Sequence, residues 1–432
     1  MASFPAAHRA IPSMRTPPHR TLALGVLLLV GTAASAAPEQ VHYALIVASN
    51  TGTEKGQAPL RYADDDGARY YELFAPRSRE VVLLSVLDAD TQALHPGLAA
   101  KTRPPTHAAL DDALARLNGR MAQDRARGQV PVLSFVFVGH GKRGAAGEGA
   151  VSLLDGPLTR TALFSRVLTP SKASFIQLIV DACDSYFFVH SRGALPVGPA
   201  YAEAVKGLLG GRELERFPQV GVVLSTSSEQ ESHEWSAIRS GIFSHMVRSA
   251  LSGAGDVNGD GRVDYPELRA FVAAASQGLD DVRGQPRVYI QPPALDRAFA
   301  LTDQGKAAAL GYLLVPTGLE GRLWVEDSRG IRQVELHKER ERPLVLSLPV
   351  GRGYHLRGPG KEAAFTLTHA AQVVDAGGLP WRESTVAARG AVEDAFRDKL
   401  FSVPFGQRFY RGYMASFGLT PPSEEADAAL AP

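Results

Sequence analysis

A largely parallel β-sheet covered by helices on both faces is the fold this 432-residue chain predicts, and three observations predict it. Apolar runs rich in Val, Ile, Leu and Phe recur at 43–48, 81–86, 132–138, 175–180 and 220–224. Each is too short for a globular helix and apolar at successive positions, the pattern of a strand buried on both faces of a sheet. Amphipathic stretches at 60–74, 106–118 and 159–168 separate them, and such β-α alternation implies parallel strands joined by helical crossovers. Third, the runs 132–138 and 175–180 deliver reactive side chains, in Gly139-His140-Gly141 and Asp181-Ala182-Cys183. The carboxyl ends of parallel strands share one sheet edge, where ligand and catalytic groups gather in open α/β sheets.

The strand at 43–48 leads into a polar loop at 49–59. The helix expected at 60–74 is entered through Asp64, Asp65 and Asp66, acids that suit its positive end. In the helix at 106–118, Ala109, Leu110, Ala113, Leu114 and Leu117 fall on one side. Residues 187–219 show little regular pattern apart from a helical piece around 200–209. The strand at 220–224 then opens into a polar run, 225–235, the third to leave the same sheet edge. Helices are expected at 241–252 and 265–275, closing a first domain over 41–300. From residue 309 the texture changes to short alternating segments, 312–315, 321–326, 333–336, 344–348 and 354–357. These read as a small antiparallel β domain over 309–370, with a mixed tail over 371–432 that ends in disorder.

Residues 1–36 read as a secretory signal peptide: Arg9, Arg15 and Arg20 without an acid, an apolar stretch at 22–30, and small residues at Ala34 and Ala36 before the expected cut. The expectation is an exported protein, periplasmic or extracellular, with no membrane span in the mature chain, since the apolar stretch is too short for one. Losing those arginines moves the formal charge from +1 to about −2, a balance that does not point to nucleic acid. Cys183 is the only cysteine. It cannot form an internal disulfide, so in an exported chain its reactivity is the reason to keep it.

A thiol and an imidazole on one sheet edge make a nucleophile and a base, because the thiolate attacks carbonyls and a neighbouring His can generate it. The pieces Tyr43-Ala-Leu-Ile-Val, Leu60-x-x-Ala-x-x-Asp66, Gly139-His140-Gly141 and Asp181-Ala-Cys183 together resemble the caspase-like cysteine peptidases of the metacaspase and paracaspase type. The resemblance spans about 41–290 and implies a three-layer α/β/α fold, polypeptide substrates and a His140/Cys183 dyad. Gly141 and Cys183 can offer backbone N–H groups to the oxyanion. His190 and His233 are weaker bases, since neither ends a strand. By the resemblance, Asp181 and Asp66, with Asp65 as the register alternative, form a pocket for Arg or Lys before the cut; carboxylates there favour a cationic side chain. The family follows its cysteine with His-Ser-Gly or Asn-Ser-Gly, whereas here Asp184-Ser185-Tyr186 follows Cys183. Tyr186 can crowd the groove, and Asp184 disfavours the thiolate. Self-cleavage is expected in 187–219, at Arg192, Lys206, Arg212 or Arg216.

The loop 256–267 matches the twelve-residue calcium loop. Asp256, Asn258, Asp260, Asp264 and Glu267 take positions 1, 3, 5, 9 and 12, Arg262 supplies a carbonyl at 7, and Gly261 makes the turn at 6. The expected cofactor is therefore Ca²⁺, structural or regulatory. Two alternatives to an endopeptidase use the same residues: a calcium-stabilised scaffold that has lost catalysis, and a thiol transferase or ligase on the same dyad.

Overall fold

Period-two burial along the central strands builds the sheet. In β1 (Gln40–Ser49) and β4 (Val130–Gly139), Tyr43, Leu45, Val47, Leu133, Phe135 and Phe137 pack on one face, while Ala44, Ile46, Ala48, Val132, Val136 and Val138 pack on the other. The computed structural model describes residues 38–416 except 54–56, 144–147, 184–188, 190–213, 226–233, 280–287, 307–308 and 385–397. All of the described residues fall in the unit 38–432.

The other strands of this sheet are β2 (Glu80–Ser85), β3 (Thr102–Arg103), β5 (Phe175–Asp181), β6 (Val220–Ser225) and β7 (Val288–Gln291). Their order is β7-β6-β5-β4-β1-β2-β3, with every neighbouring pair parallel except β7 against β6. Helix α1 (Ala63–Phe74) covers one face together with α3 (Ile242–Ser249) and α4 (Tyr265–Ser276). Helix α2 (His107–Ala126) covers the other. The expected layered α/β arrangement is therefore present. Gly67 lets α1 lie close to β1, because a Cβ there would sit 2.5 Å from that of Ala48.

The differences from expectation are local. Helix α2 continues through Asn118-Gly119, a pair that reads as a stop, because the next turn buries Met121 and Asp124. Asp124 accepts a 2.5 Å hydrogen bond from the Tyr43 hydroxyl and pairs with Arg79, which outweighs the roughly 1 kcal/mol cost of an exposed helical glycine. The segment after His140, unassigned in the sequence, forms a three-stranded antiparallel sheet of Gly141–Arg143, Gly149–Leu153 and Gly156–Thr159. Strands this short carry too few residues for periodicity to register.

Past residue 309 the strands form two antiparallel groups. One is ordered Arg332–Lys338, Gly321–Asp327, Arg352–Gly358, Lys361–Leu367, Arg382–Glu383; the other joins Leu344–Pro349 to Leu310–Val315, with Val373–Asp375 added in parallel. Leu313, Val325, Leu336 and Tyr354 from these strands belong to the same apolar cluster as Ile242, Met246 and Phe271 of α3 and α4. Helix α5 (Gln407–Ser416) packs Tyr410 and Met414 onto that cluster. Among the described residues, no helix is long and apolar enough to cross a membrane. The expected signal peptide, the helical piece at 200–209, most of the polar run 225–235 and the tail at 421–432 lie outside the described residues.

Candidate active site

Parallel register brings the two reactive groups to one level. Val138 of β4 is paired with Asp181 of β5, and two residues beyond each stand His140 and Cys183. Immediately after His140 the chain presses on the cysteine: a Cβ on Gly141 would lie 2.0 Å from the Cys183 carbonyl oxygen and 3.0 Å from the Ala182 Cβ. Only glycine permits that approach. Gly139 is also confined, less tightly, its Cβ position falling 2.9 Å from the Ser49 carbonyl oxygen. The two glycines around the histidine are thus a packing requirement of adjacent strand ends.

Cys183 is half-buried. His140 is 9% exposed, and burial holds its imidazole below the usual histidine value although the carbonyls of Ala58 and Asn50 favour the protonated form. A neutral ring near pH 7 is the form that accepts a thiol proton. Gln57 lies against it, its Nε2 3.0 Å from His140 Nδ1, while Nε2 of the ring has no hydrogen-bond partner among the described residues. Gln57 carries no sequence signal that would have marked it as a partner of the ring. His190, His233, Asp184, Ser185 and Tyr186 lie outside the described residues, as do Arg192, Lys206 and Arg212; Arg216 is exposed in the 3₁₀ turn Leu214–Arg216.

The three acids that open α1 face three directions. Asp64 accepts from Asn50 Nδ2 at 2.7 Å and from the Asp88 backbone at 2.8 Å, tying loops to the helix start. Asp65 is fully buried beside Arg69 and Arg239; burial pushes its carboxyl up to about 6 against the pull of both arginines. Asp66 alone points toward Asp181. A Cβ on Gly241 would come 3.2 Å from Asp66 Oδ2 and 3.0 Å from Asp181 Oδ2, so one glycine backbone lies between the two acids. Asp66 Oδ1 accepts from Ser240 Oγ at 2.5 Å and Arg248 Nη1 at 2.6 Å, and Oδ2 accepts from Gly241 N at 2.7 Å. Asp181 Oδ2 accepts from Ser244 N at 3.2 Å and Ser244 Oγ at 2.6 Å. Burial, with Asp66 adding to it, pushes Asp181 up to about 7 despite Ser244 and Arg248.

Ser240, Gly241, Ser244 and Arg248 complete this constellation and were not singled out in the sequence. The available sign was Ser244 and Arg248 four residues apart in the largely apolar Ile242-Phe243-Ser244-His245-Met246-Val247-Arg248. Glu234 was also missed. It accepts from the backbone N–H groups of Arg61 at 3.0 Å and Tyr62 at 2.9 Å, capping α1, whose own N-cap residue supplies no side-chain acceptor.

The loop 256–267 has the local conformation of a calcium loop. Asp256 accepts from Gly259 N at 2.7 Å and Gly261 N at 2.9 Å, and Gly261 takes a φ of +76° at the turn position. Asp264 and Glu267 close a capping box on α4, and Glu267 also accepts from Val257 N at 3.1 Å. Arg262–Asp264 pairs antiparallel with Ala300–Asp303, bracing the loop from outside. Burial pushes Asp256 and Asp264 each up to about 6 and Glu267 well above its usual value, with neighbouring acids adding to it. Crowded hard-oxygen donors on such a turn fit Ca²⁺. Among the described residues no three His, Cys, Asp or Glu side chains converge as a ready metal set, since these oxygens are turned to backbone N–H groups.

No protein-family model matches this chain, and neither does any curated protein. Solved structures similar to it include protein GSU0716 from Geobacter sulfurreducens, 14% identical over 62% of this chain and 99% of that one, with a TM-score of 0.34. The Arg-specific cysteine proteinase gingipain R is 11% identical over 77% of this chain and 67% of its own, with a TM-score of 0.27. S.CueP is 16% identical over 22% and 74%, at 0.14. With scores this low, the functional reading rests on the site itself.

Proposed function

We propose that this protein is an exported, caspase-like cysteine endopeptidase that cleaves after Arg or Lys and carries a calcium site at 256–267. The observation that supports it best is the register that sets His140 level with Cys183 at the sheet edge, two residues beyond a half-buried carboxylate. In this reading His140 takes the Cys183 proton, and the thiolate adds to the scissile carbonyl. Backbone N–H groups of Gly141 and Cys183 receive the oxyanion. The C–N bond then breaks as His140 returns the proton to the leaving amine, and water hydrolyses the thioester. Asp181 faces the basic side chain before the cut. Asp256, Asn258, Asp260, Asp264 and Glu267, with the Arg262 carbonyl, would hold Ca²⁺, which supplies charge neutralisation to the loop and takes no part in the bond-breaking steps.

The test is hydrolysis of fluorogenic peptides with Arg, Lys or Asp before the cut, comparing residues 37–432 with the Cys183→Ala variant. The expected result is cleavage after Arg or Lys that the variant loses entirely. Equal activity in both proteins would overturn the dyad. Silence in both, together with a Cys183 inert to thiol probes, would favour a binding scaffold.

A further inference from the structure

Two acids flank the Gly241 backbone, and their oxygens are committed very differently. Asp66, 1% exposed, has both oxygens taken from inside the protein: Arg248 and Ser240 on Oδ1, Gly241 on Oδ2. Arg248 is itself 3% exposed, gives its Nη2 to Ser240 Oγ at 3.0 Å and lies over the Tyr70 ring, 5.3 Å from the centroid. The guanidinium is thus fixed by a carboxylate, a hydroxyl and an aromatic face. Asp181 is engaged only through Oδ2, by Ser244; among the described residues nothing donates to its Oδ1. An incoming guanidinium or ammonium needs acceptor lone pairs aimed at it. Asp66 accepts three hydrogen bonds from within the fold, and its charge is cancelled 2.6 Å away.

From this we infer that Arg248 is a specificity-determining residue: as a built-in counter-ion it removes Asp66 from substrate recognition and leaves Asp181 as the single carboxylate that reads a basic side chain. The inference deepens the peptidase reading above and rests on it for the place of the cut. A second consequence follows from the count of oxygens. The two parallel bonds of an Arg fork need both oxygens of one carboxylate, and only Oδ1 is open, so Arg and Lys are accepted about equally.

The experiment measures kcat/KM for peptides carrying Arg, Lys or the neutral arginine isostere citrulline before the cut. In the wild type Arg and Lys fall within about tenfold of each other. Asp181→Asn lowers the Arg-to-citrulline ratio about 10- to 100-fold, the worth of a hydrogen bond to a charged group. Asp66→Asn alone would strand Arg248 without its partner, so the pair is replaced together: Asp66→Leu with Arg248→Met puts apolar volume where the ion pair was. That double variant keeps the ratio within about threefold; a collapse comparable to Asp181→Asn would overturn the inference. Arg248→Met alone gives an independent reading, since freeing Asp66 raises the ratio, an outcome misfolding does not mimic. An unchanged or lower ratio counts against Arg248. Thermal-shift binding of benzamidine against neutral benzamide separates the two ideas. Should no peptide be cut, the peptidase reading falls, and the pocket is still judged by benzamidine. Binding kept in the double variant and lost in Asp181→Asn upholds it, and binding lost in the double variant or absent from the wild type refutes it.

Discussion

On one face of α3, Ser244 and Arg248 turn toward Asp181 and Asp66; one residue further along each, His245 and Ser249 turn to the antiparallel region and meet Glu335. Glu335 is completely buried, and both its oxygens are taken: Arg322 donates to Oε1 at 2.7 and 2.5 Å, Arg332 to Oε2 at 3.0 Å, and His245 Nε2 stands 3.1 Å from Oε2. Burial opposes its charge, yet Arg332, Arg322 and His245 hold it well below the usual carboxylate range. Burial pushes His245 down to about 4, so it serves as a neutral N–H donor. Arg332 is further seated over the Trp324 ring at 4.9 Å and the Trp235 ring at 5.6 Å. On the rear face both oxygens of Glu335 are filled, whereas on the front Oδ1 of Asp181 has no donor among the described residues. Saturated buried ion pairs hold an element in place, while a partly satisfied acid beside a cleft is where chemistry is available. The antiparallel region thus fixes the helix that carries Ser244 and Arg248, and a second contact repeats the theme: Glu72 of α1 accepts from Arg329 at 2.7 and 2.8 Å and from Arg352 at 3.1 Å.

Breaking the rear face should have the largest effect. Glu335→Ala takes the buried carboxylate away from Arg322 and Arg332 and is expected to cost about 3–5 kcal/mol in urea unfolding, with Glu335→Gln costing less; a loss under about 1 kcal/mol would show the cluster to be ornamental. The acid limb has a definite sign. Glu335 and Glu72 have folded values depressed below the ordinary 4.5, so their stabilisation is present above that pH and lost as pH falls below it. Glu335→Gln should flatten this limb.

Gly141→Ala acts on the front face alone. Its Cβ would lie 2.0 Å from the Cys183 carbonyl, and displacement on that scale should lower kcat about 100-fold while changing the melting temperature far less than Glu335→Ala. A kcat near that of the wild type would mean that Cys183 does not react from this position.

A smaller effect sharpens the front face further. Asp181 titrates near 7 among Asp66, Arg248 and Tyr70, beside the Ser244 hydroxyl and the Gly241 backbone. Its ionised form is the one that attracts a cation, so the Arg-to-citrulline ratio should rise as pH increases through about 7. Taking a ratio cancels the titration of His140 and Cys183, which both substrates share. A flat ratio from pH 6 to 8 would remove Asp181 from recognition.

The smallest change expected is at 256–267. Saturating Ca²⁺ should raise the melting temperature by a few degrees, about 1 kcal/mol of linkage, and Glu267→Gln should abolish the rise. No shift in the wild type would refute calcium binding there.

The sheet and its reactive edge were legible because burial on both faces writes continuous apolar runs, and a polar residue at the end of such a run stands out, as His140 and Cys183 do. The calcium-loop reading was equally local, resting on twelve consecutive residues. Short Gly-rich strands after His140 escaped notice, and α2 outran its apparent stop because Asp124 found Tyr43 and Arg79 from distant segments.

The sequence alone determined the fold class, the two strands that lead into His140 and Cys183, and an acid at the end of the strand before the thiol. Those features depend on neighbours within a few residues, where backbone periodicity dictates direction. Only the tertiary structure decided which of three consecutive acids faces Asp181, that Arg248 neutralises it, and that Glu335 holds the opposite side of the same helix. Asp66 and Arg248 are 182 positions apart and His245 and Glu335 are 90, so their pairing is a property of packed helices and sheets that no local pattern encodes.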